Sequence, residues 1–197
     1  FSNKKIDPDF VHISYQESLL KYGNDKPDLR IPIEISDVTE IFRGSDFSIF
    51  AKNIEKGAVV RAIPGPKCGS RAIADRMNSW AQSEGAPGLG YIIYSDEDAK
   101  GPVAKALGQE KANEIKSKLN LSNGDAVFFS CALEKEASVL AGRARERIGK
   151  EQGLIDESVF KFCWIIDFPM FEKDEVTGKI VFSHNPFSMP QGGMDAL

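Results

Sequence analysis

Strand-like apolar runs alternate with amphipathic helical patterns from about residue 31 to residue 152. Short apolar runs bounded by turns are typical of strands, whereas apolar residues spaced three and four apart are typical of helices. This alternation predicts an α+β fold with helices over one face of a largely antiparallel sheet. The predicted strands are 47–51, 58–63, 89–94 and 126–131, and the predicted helices are 73–81, 103–107, 112–119 and 137–148.

The sequence changes character after residue 152. Residues 162–168 are almost continuously apolar, which is typical of a strand buried on both faces. A mainly acidic connection over 172–178 leads into a second strand-like run, 179–184. The simplest interpretation is a β-hairpin. Because an isolated hairpin is only marginally stable, we expect it to form the edge of a larger sheet.

Three sequence signals predict where helices begin. Ser14 and Glu17 have the spacing of a capping box, in which each side chain accepts a hydrogen bond from the other residue's backbone N–H. This helix is expected to end by Gly23. Asp37 and Glu40 have the same spacing and predict a second, short helix. Ser70 is expected to cap the longer helix that carries the 73–81 pattern.

Composition indicates an ordinary folded protein. Of 197 residues, 42% are hydrophobic and 27% are charged, which excludes disorder as the main state. A net charge of -4 argues against a surface that is basic throughout. No apolar run approaches the ~20 residues that span a bilayer, so we expect a cytoplasmic protein without a membrane partner. A start at Phe1 rather than Met, with an end at Leu197 after a turn-rich run, suggests a piece of a longer protein.

Searches for general chemical motifs are mostly negative. No two of the cysteines form a C-x-x-C pair, which excludes a zinc clip of that type. Residues 65–70 faintly resemble a phosphate-binding loop, but the glycine spacing is too short and the lysine before the serine is missing. The acidic runs 96–98 and 174–175 could hold a divalent ion, although solvated turns are the commoner explanation. The basic groups in 61–76 leave contact with phosphate open.

Histidine is scarce, and its two positions differ in character. His12 alternates with apolar neighbours, as the polar face of a strand would, which favours a structural role. His184 ends the last strand-like run, where small ligands bind in many mixed α and β enzymes. His184 is therefore the stronger candidate for a functional histidine, and on chemistry alone an unrelated small metabolic enzyme with its site around His184 stays open.

Three segments resemble one enzyme family. Residues 22–30, YGNDKPDLR, closely resemble a signature of bacterial-type aspartyl-tRNA synthetases. Residues 164–172, WIIDFPMFE, and 184–187, HNPF, are similar to two further segments of the same enzymes. Asn185 and Ser188 depart from the family pattern H-H-P-F-T. The three matches occur in the family's order and span the chain.

The resemblance implies a domain organisation. Residues 1–30 would belong to the class II catalytic core after motif 2, 31–152 would form the GAD insertion domain, and 153–197 would return to the core. The flanking parts would contribute segments of the antiparallel sheet of class II enzymes. The expected fold class is therefore α+β.

The resemblance also implies an activity for the full-length protein. Such an enzyme activates L-aspartate with ATP and Mg²⁺, transfers it to tRNA, and is a homodimer. His184 would contact the bound aspartate, whereas Lys26 and Asp167 could be structural or could contact ligand. The Arg-x-Glu of motif 2 and the glycine-rich motif 3 do not occur, so we assign this chain no catalytic residue, metal ligand or cofactor. The alternative is a freestanding GAD-type module that binds tRNA or has a regulatory role.

Overall fold

The computed structural model describes residues 5–6, 10–96, 98–174 and 177–183. The strands are β1 Lys5–Ile6, β2 Val11–Ser14, β3 Ser36–Asp37, β4 Val59–Gly65, β5 Gly90–Tyr94, β6 Ala99–Lys100, β7 Ala126–Ala132, β8 Val159–Phe160, β9 Cys163–Ile166, β10 Phe171–Lys173 and β11 Ile180–Phe182. The helices are α1 Tyr15–Tyr22, α2 Thr39–Phe42, α3 Ser48–Glu55, α4 Arg71–Ser83, α5 Pro102–Leu107, α6 Gln109–Lys118 and α7 Glu134–Glu151.

A five-stranded antiparallel sheet organises the middle of the chain. Its strand order is β3-β4-β7-β5-β6, so β7 lies at the centre although it comes last among these strands in sequence. Strand β4 pairs with β7 over seven residues, with Ile63 opposite Phe128, and β5 pairs with the other edge of β7. The predicted α+β class with an antiparallel sheet is confirmed.

Helices cover both faces of this sheet, so the prediction of helices on one face is wrong. Ile63 and Phe128 lie in a core closed by α4 and α7. Ala62 and Phe129 lie in a second core, closed by α2, α3, α5 and α6. The physical reason is the run Ala126–Phe129 at the start of β7, which is apolar at every position and fully buried. A strand with no polar face requires cover on both sides.

The run 47–51 forms the N-cap and the first half of helix α3 and not a strand. Phe50 and Ile54 are spaced one helical turn apart and are both buried, whereas Ile49 points outwards. The rings of Phe47 and Phe50 lie 4.7 Å apart between their centres, which holds the start of the helix against the second core. A short apolar run fits either structure, and here tertiary packing selects the helix.

The predicted helix caps at Ser14 and Ser70 are confirmed. The Glu17 amide donates to Ser14 Oγ at 3.2 Å, and the Ile73 amide donates to Ser70 Oγ at 3.3 Å. Gly23 ends α1 in the left-handed conformation, with φ of 76°. The predicted second short helix forms as α2 but begins at Thr39, whose amide donates to the carboxylate of Asp37 at the end of β3.

The flanking segments pair differently from the prediction. Strand β9 pairs in parallel with β2, whereas the antiparallel hairpin joins β10 to β11. Strand β9 is also not buried on both faces, since Trp164 is 58% exposed. Asp167 adopts a left-handed conformation with φ of 58°, and Pro169 follows, so the strand ends at Ile166 before the hairpin begins.

Exposed large apolar side chains are concentrated in the flanking segments. Among the described residues, the only ones within 31–152 are Ile49, Leu133 and Val139. The flanks expose aromatic and aliphatic residues on β9, β10 and β11. The middle of the chain therefore buries its own apolar surface, and the flanks leave theirs uncovered.

Cover on both sheet faces has a measurable consequence. We expect Phe128→Ala and Phe129→Ala each to lower the free energy of unfolding by ~3–5 kcal/mol, because both side chains are fully buried and point to opposite faces. Urea unfolding measures both, and Ile49→Ala, at an exposed site, should change the value by less than ~0.5 kcal/mol. A loss below ~0.5 kcal/mol for either phenylalanine variant would contradict the two-core fold.

Candidate functional site

Helix α7 holds the family-like segment 22–30 through a buried arginine. Arg145 is fully buried, and its Nε donates to the Ile33 carbonyl at 2.6 Å. Its Nη2 donates to the carbonyls of Asp28 and Ile31, both at 2.9 Å. The guanidinium carbon lies 4.9 Å from the centre of the Tyr22 ring. One side chain thus satisfies three backbone acceptors of an irregular segment and stacks on an aromatic face.

The end of α1 meets α7 without intervening side chains. A Cβ on Gly142 would lie 2.8 Å from the Tyr22 carbonyl oxygen and 3.0 Å from the Gly23 Cα. Both distances are too short for a real side chain, so only glycine permits this approach. The Asn24 amide group adds a hydrogen bond to Glu146 at 3.2 Å. The family-like segment therefore contacts α7 through residues 22–24 and through Asp28.

Asp28 and Arg30 form a planar two-point pair within the same segment. Arg30 Nε and Nη2 donate to the two Asp28 carboxylate oxygens at 2.9 and 2.7 Å. This hydrogen bonding lowers the pKa of Asp28 below its usual value. The carboxylate thus turns towards Arg30, and the Asp28 carbonyl accepts from both Arg145 and the Ile31 amide.

The other end of α1 contacts the second family-like segment. Tyr15 donates its hydroxyl hydrogen to Glu172 Oε1 at 3.4 Å, and its ring centre lies 5.1 Å from that of Phe168. A cleft of about 840 Å³ opens between α1, the start of α7 and β10. Its lining includes Asn24 and Asp25 from the first segment and Glu172 from the second. This cleft is the candidate functional site, because two of the three family-like segments meet there.

Charge in the cleft is largely neutralised within the protein. The buried Arg61 pairs with Asp37 and, at 3.0 Å, with Glu134. The cleft also carries Lys135 and Lys173, whose charges are opposed by those of its acidic residues. Within the described residues it contains no histidine and no thiol, so it offers a mixed polar surface for positioning and no nucleophile–base pair.

Of the three residues that the resemblance singles out, two lie within the described residues. His184 lies outside the described residues. The Lys26 side chain is exposed on the loop after α1, and its backbone amide donates to Asn24 Oδ1 at 3.0 Å. Asp167 is exposed and forms the left-handed turn after β9. His12 is exposed on β2, as the alternation predicted.

Three of the four basic groups in 61–76 are held in ion pairs, and the fourth, Lys67, is exposed. Arg61 is buried in its two ion pairs, and Arg76 pairs with Glu151 at 3.0 Å. Arg71 lies 3.6 Å from Asp75. The resemblance of 65–70 to a phosphate loop is also explained, because these residues make the turn from β4 into the Ser70 cap. The structure therefore gives no support to phosphate binding there.

Other candidate chemistry is also limited. Burial raises the pKa of the Cys68 thiol to about 11, so it stays protonated near neutral pH. Within the described ranges, no three acidic, histidine or cysteine side chains lie close enough to share a metal ion. In the same part of the chain, no helix is both long enough and apolar enough to cross a bilayer.

Sequence reasoning missed the residues that build this site. Arg145 carried a usable signal, because it lies within the apolar helical stripe, four residues after Ala141 and three before Ile148. A charged residue on the buried face of a helix indicates a specific partner. Gly142 and Tyr15 carried no such signal, since their contacts depend on chain segments that are remote in sequence.

The Arg145 contacts give a stability prediction. We expect Arg145→Met to lower the free energy of unfolding by about 3–5 kcal/mol, because the Ile31 and Ile33 carbonyls lose their donor and the Asp28 carbonyl keeps only the Ile31 amide at 3.3 Å, while the apolar volume is kept. Urea unfolding measures the loss. Arg43→Met is the matched control, since Arg43 is exposed and pairs only with Glu40 among the described residues, and it should change little. Equal effects of the two substitutions would contradict the role given to Arg145.

Comparison with known proteins agrees with this geometry. Residues 50–141 match the family model of the GAD domain. The aspartate–tRNA(Asp/Asn) ligase of Rickettsia africae (strain ESF-5) is 57% identical over 201 aligned positions, covering all of this chain and 33% of that protein. The ligases of the same name from Acidiphilium cryptum (strain JF-5) and Paracoccus denitrificans (strain Pd 1222) are 57% and 56% identical, covering 95% and 98% of this chain.

The match extends well beyond the GAD domain on both sides. The chain spans about one third of the length of these relatives, with 32% of the Acidiphilium protein and 34% of the Paracoccus protein covered. The identity includes the segments that carry β2, α1 and the β10–β11 hairpin. The chain therefore contains a GAD domain and is homologous over its full length to about one third of an aspartate–tRNA(Asp/Asn) ligase.

Proposed function

We propose that this chain is the GAD-containing part of an aspartate–tRNA ligase, whose full-length form activates L-aspartate with ATP and transfers it to tRNA. The observation that carries the proposal is the 57% identity over the full length of the chain, because it includes the flanks as well as the GAD domain. The exposed apolar residues of β9, β10 and β11 support it, since a catalytic core would cover them.

We propose the same three divisions that the resemblance implies: core at 1–30, GAD insertion at 31–152 and core again at 153–197. The two buried cores drawn from 31–152 support a self-contained insertion. The contacts of Tyr22 and Asp28 with Arg145 mean that 22–30 also packs on the insertion.

His184 is proposed as a contact to the bound aspartate in the full-length enzyme. A histidine can donate a hydrogen bond to a carboxylate, and its charged form attracts one. Asn185, which follows it where the family has a second histidine, can also donate but stays neutral. Two roles remain open for Lys26 and Asp167: each could order the chain locally, or each could contact a ligand.

The partners proposed for the full-length enzyme are L-aspartate, ATP with Mg²⁺, and tRNA. The names of the relatives suggest that both the aspartate and asparagine tRNAs are substrates. A homodimer in the cytoplasm is the proposed state. The described residues do not gather the ligands for a metal ion, and the sequence lacks the motif 2 and motif 3 residues for ATP, so no step involving either is assigned to this chain.

The 197-residue chain alone should not form aspartyl-adenylate. We expect its aspartate-dependent ATP–pyrophosphate exchange to equal the background without aspartate, because the residues that would bind ATP lie outside it. The full-length ligase is the positive control and should exchange well above background. Clear exchange by the isolated chain would contradict the proposal that the ATP-binding residues lie outside it.

Replacement of His184 tests the aspartate contact. In the full-length ligase, His184→Ala should raise the KM for aspartate about tenfold or more, as expected for a lost contact to a charged group, with the KM for ATP little changed. His12→Ala is the matched control, because His12 is exposed on β2 away from the cleft lining. An unchanged KM for aspartate in His184→Ala would remove this assignment.

The alternative is a freestanding GAD-type module that binds tRNA. It is favoured only by the two filled cores of the insertion, and the homology of the flanks argues against it. Titration of the chain with tRNA at two salt concentrations separates the two functions. Tight binding with a steep salt dependence would support the module, and weak binding would support a part of the ligase.

A further inference from the structure

Helix α1 connects the GAD domain to the segment that leads to His184. Its eight residues span ~12 Å at the usual rise per residue. Both ends are capped, by Ser14 at the start and by Gly23 at the end. Its last turn contacts α7, and its first residue contacts Phe168 and Glu172. A short helix fixed at both ends transmits displacement better than a loop.

The contact between α1 and α7 leaves no room for a side chain at either glycine. Gly142 and Gly23 meet through backbone atoms, and the adjoining Ser138 carbonyl oxygen would lie 2.3 Å from a Cβ placed on Gly23. The Ile35 amide donates to the Lys21 carbonyl at 2.8 Å, which joins the last turn of α1 to the residue immediately before β3. Close-packed backbone of this kind shifts as a unit.

The contact at the other end reaches the hairpin. Tyr15 is hydrogen-bonded to Glu172, which lies in β10 opposite Val181 of β11. The Ser183 amide donates to the Met170 carbonyl at 3.0 Å, which fixes the last described residue after β11. Burial raises the pKa of Tyr15, so its hydroxyl remains a donor across the physiological range. His184 is the next residue in the sequence.

We propose that α1 is a strut through which the GAD domain sets the position of the hairpin that precedes His184, with Gly142 and Tyr15 as positioning residues for aspartate binding. The inference rests on the proposed function. It gives the GAD domain a role in amino-acid binding through the contact of α7 with α1. A shift of α7 relative to α1 would move the Tyr15 hydroxyl, and with it the support of Glu172.

Two substitutions in the full-length ligase test the strut. Gly142→Ala inserts a methyl group between α7 and α1, and Tyr15→Phe removes only the hydroxyl while keeping the ring against Phe168. We expect Gly142→Ala to raise the KM for aspartate at least fivefold and Tyr15→Phe to raise it about threefold to tenfold, as the loss of one hydrogen bond would. The KM for ATP should stay within about twofold in both, because the strut ends at the hairpin.

Two control variants distinguish positioning from loss of stability. Tyr94→Phe removes a buried hydroxyl that donates to the Ala112 carbonyl at 2.9 Å inside the GAD domain, so it should lower the melting temperature and leave the KM for aspartate unchanged. Arg143→Ala changes the neighbour of Gly142 on an exposed face of α7 that pairs with Glu84, and it should leave both unchanged.

The outcomes separate the strut from the proposed function. An unaltered full-length protein without aspartate-dependent exchange would refute the proposed function and the strut with it. An active full-length enzyme in which both Gly142→Ala and Tyr15→Phe keep the KM for aspartate within twofold would overturn the strut alone. A rise in that KM for Tyr94→Phe equal to the rise for Tyr15→Phe would also overturn it, because any loss of stability would then have the same effect.

Discussion

The Arg145 guanidinium is the interaction on which the rest of the structure depends. Residues 28–33 are irregular, so their carbonyls have no partner strand, and a buried carbonyl without a donor is costly. Arg145 supplies donors to three of them from the centre of α7. Within the family-like segment 22–30, the Asp28 carbonyl and the Tyr22 ring both contact this one side chain. Conformational order in this segment follows from the position of α7.

The contrast between the middle and the flanks follows from where apolar surface is covered. The central sheet carries helices on both faces, and most residues of its two longest strands, β4 and β7, are buried. Strand β9 and the β10–β11 hairpin expose aromatic residues instead. The proposed place of the GAD domain inside a larger ligase would account for both observations, because the flanks would then pack against other parts of that protein. Helix α1 lies at the junction and contacts both parts.

Sequence patterns correctly predicted the elements that are determined by residues close together in the chain. The caps at Ser14 and Ser70 and the strands near 89–94 and 126–131 were predicted correctly, since a side-chain oxygen or an apolar run determines each within a few residues. The run 47–51 was assigned wrongly because a five-residue apolar segment fits a strand or a helix equally well. The second covered face was missed although Ala126–Phe129 lacks a polar position.

The site could be predicted only in part, because its contacts join residues far apart in the chain. Tyr15 and Glu172 are 157 positions apart, and β2 pairs with β9 across a similar separation. Periodicity carries no information on such pairs. Two of the family-like segments line the cleft, whereas Lys26 does not line it and His184 lies outside the described residues. The contacts between those regions are made by Arg145, Gly142 and Tyr15.

Native-state amide hydrogen exchange tests most directly whether 22–35 and the GAD domain form one cooperative unit. The Ile35 amide, bonded to the Lys21 carbonyl, should exchange with the same opening free energy as the amides of the central strand β7, to within ~1 kcal/mol. Such agreement is predicted because Arg145 on α7 is hydrogen-bonded to carbonyls of residues 28–33, and α7 packs in the same core as β7. Exchange of Ile35 through a local opening several kcal/mol below that of β7 would contradict the account.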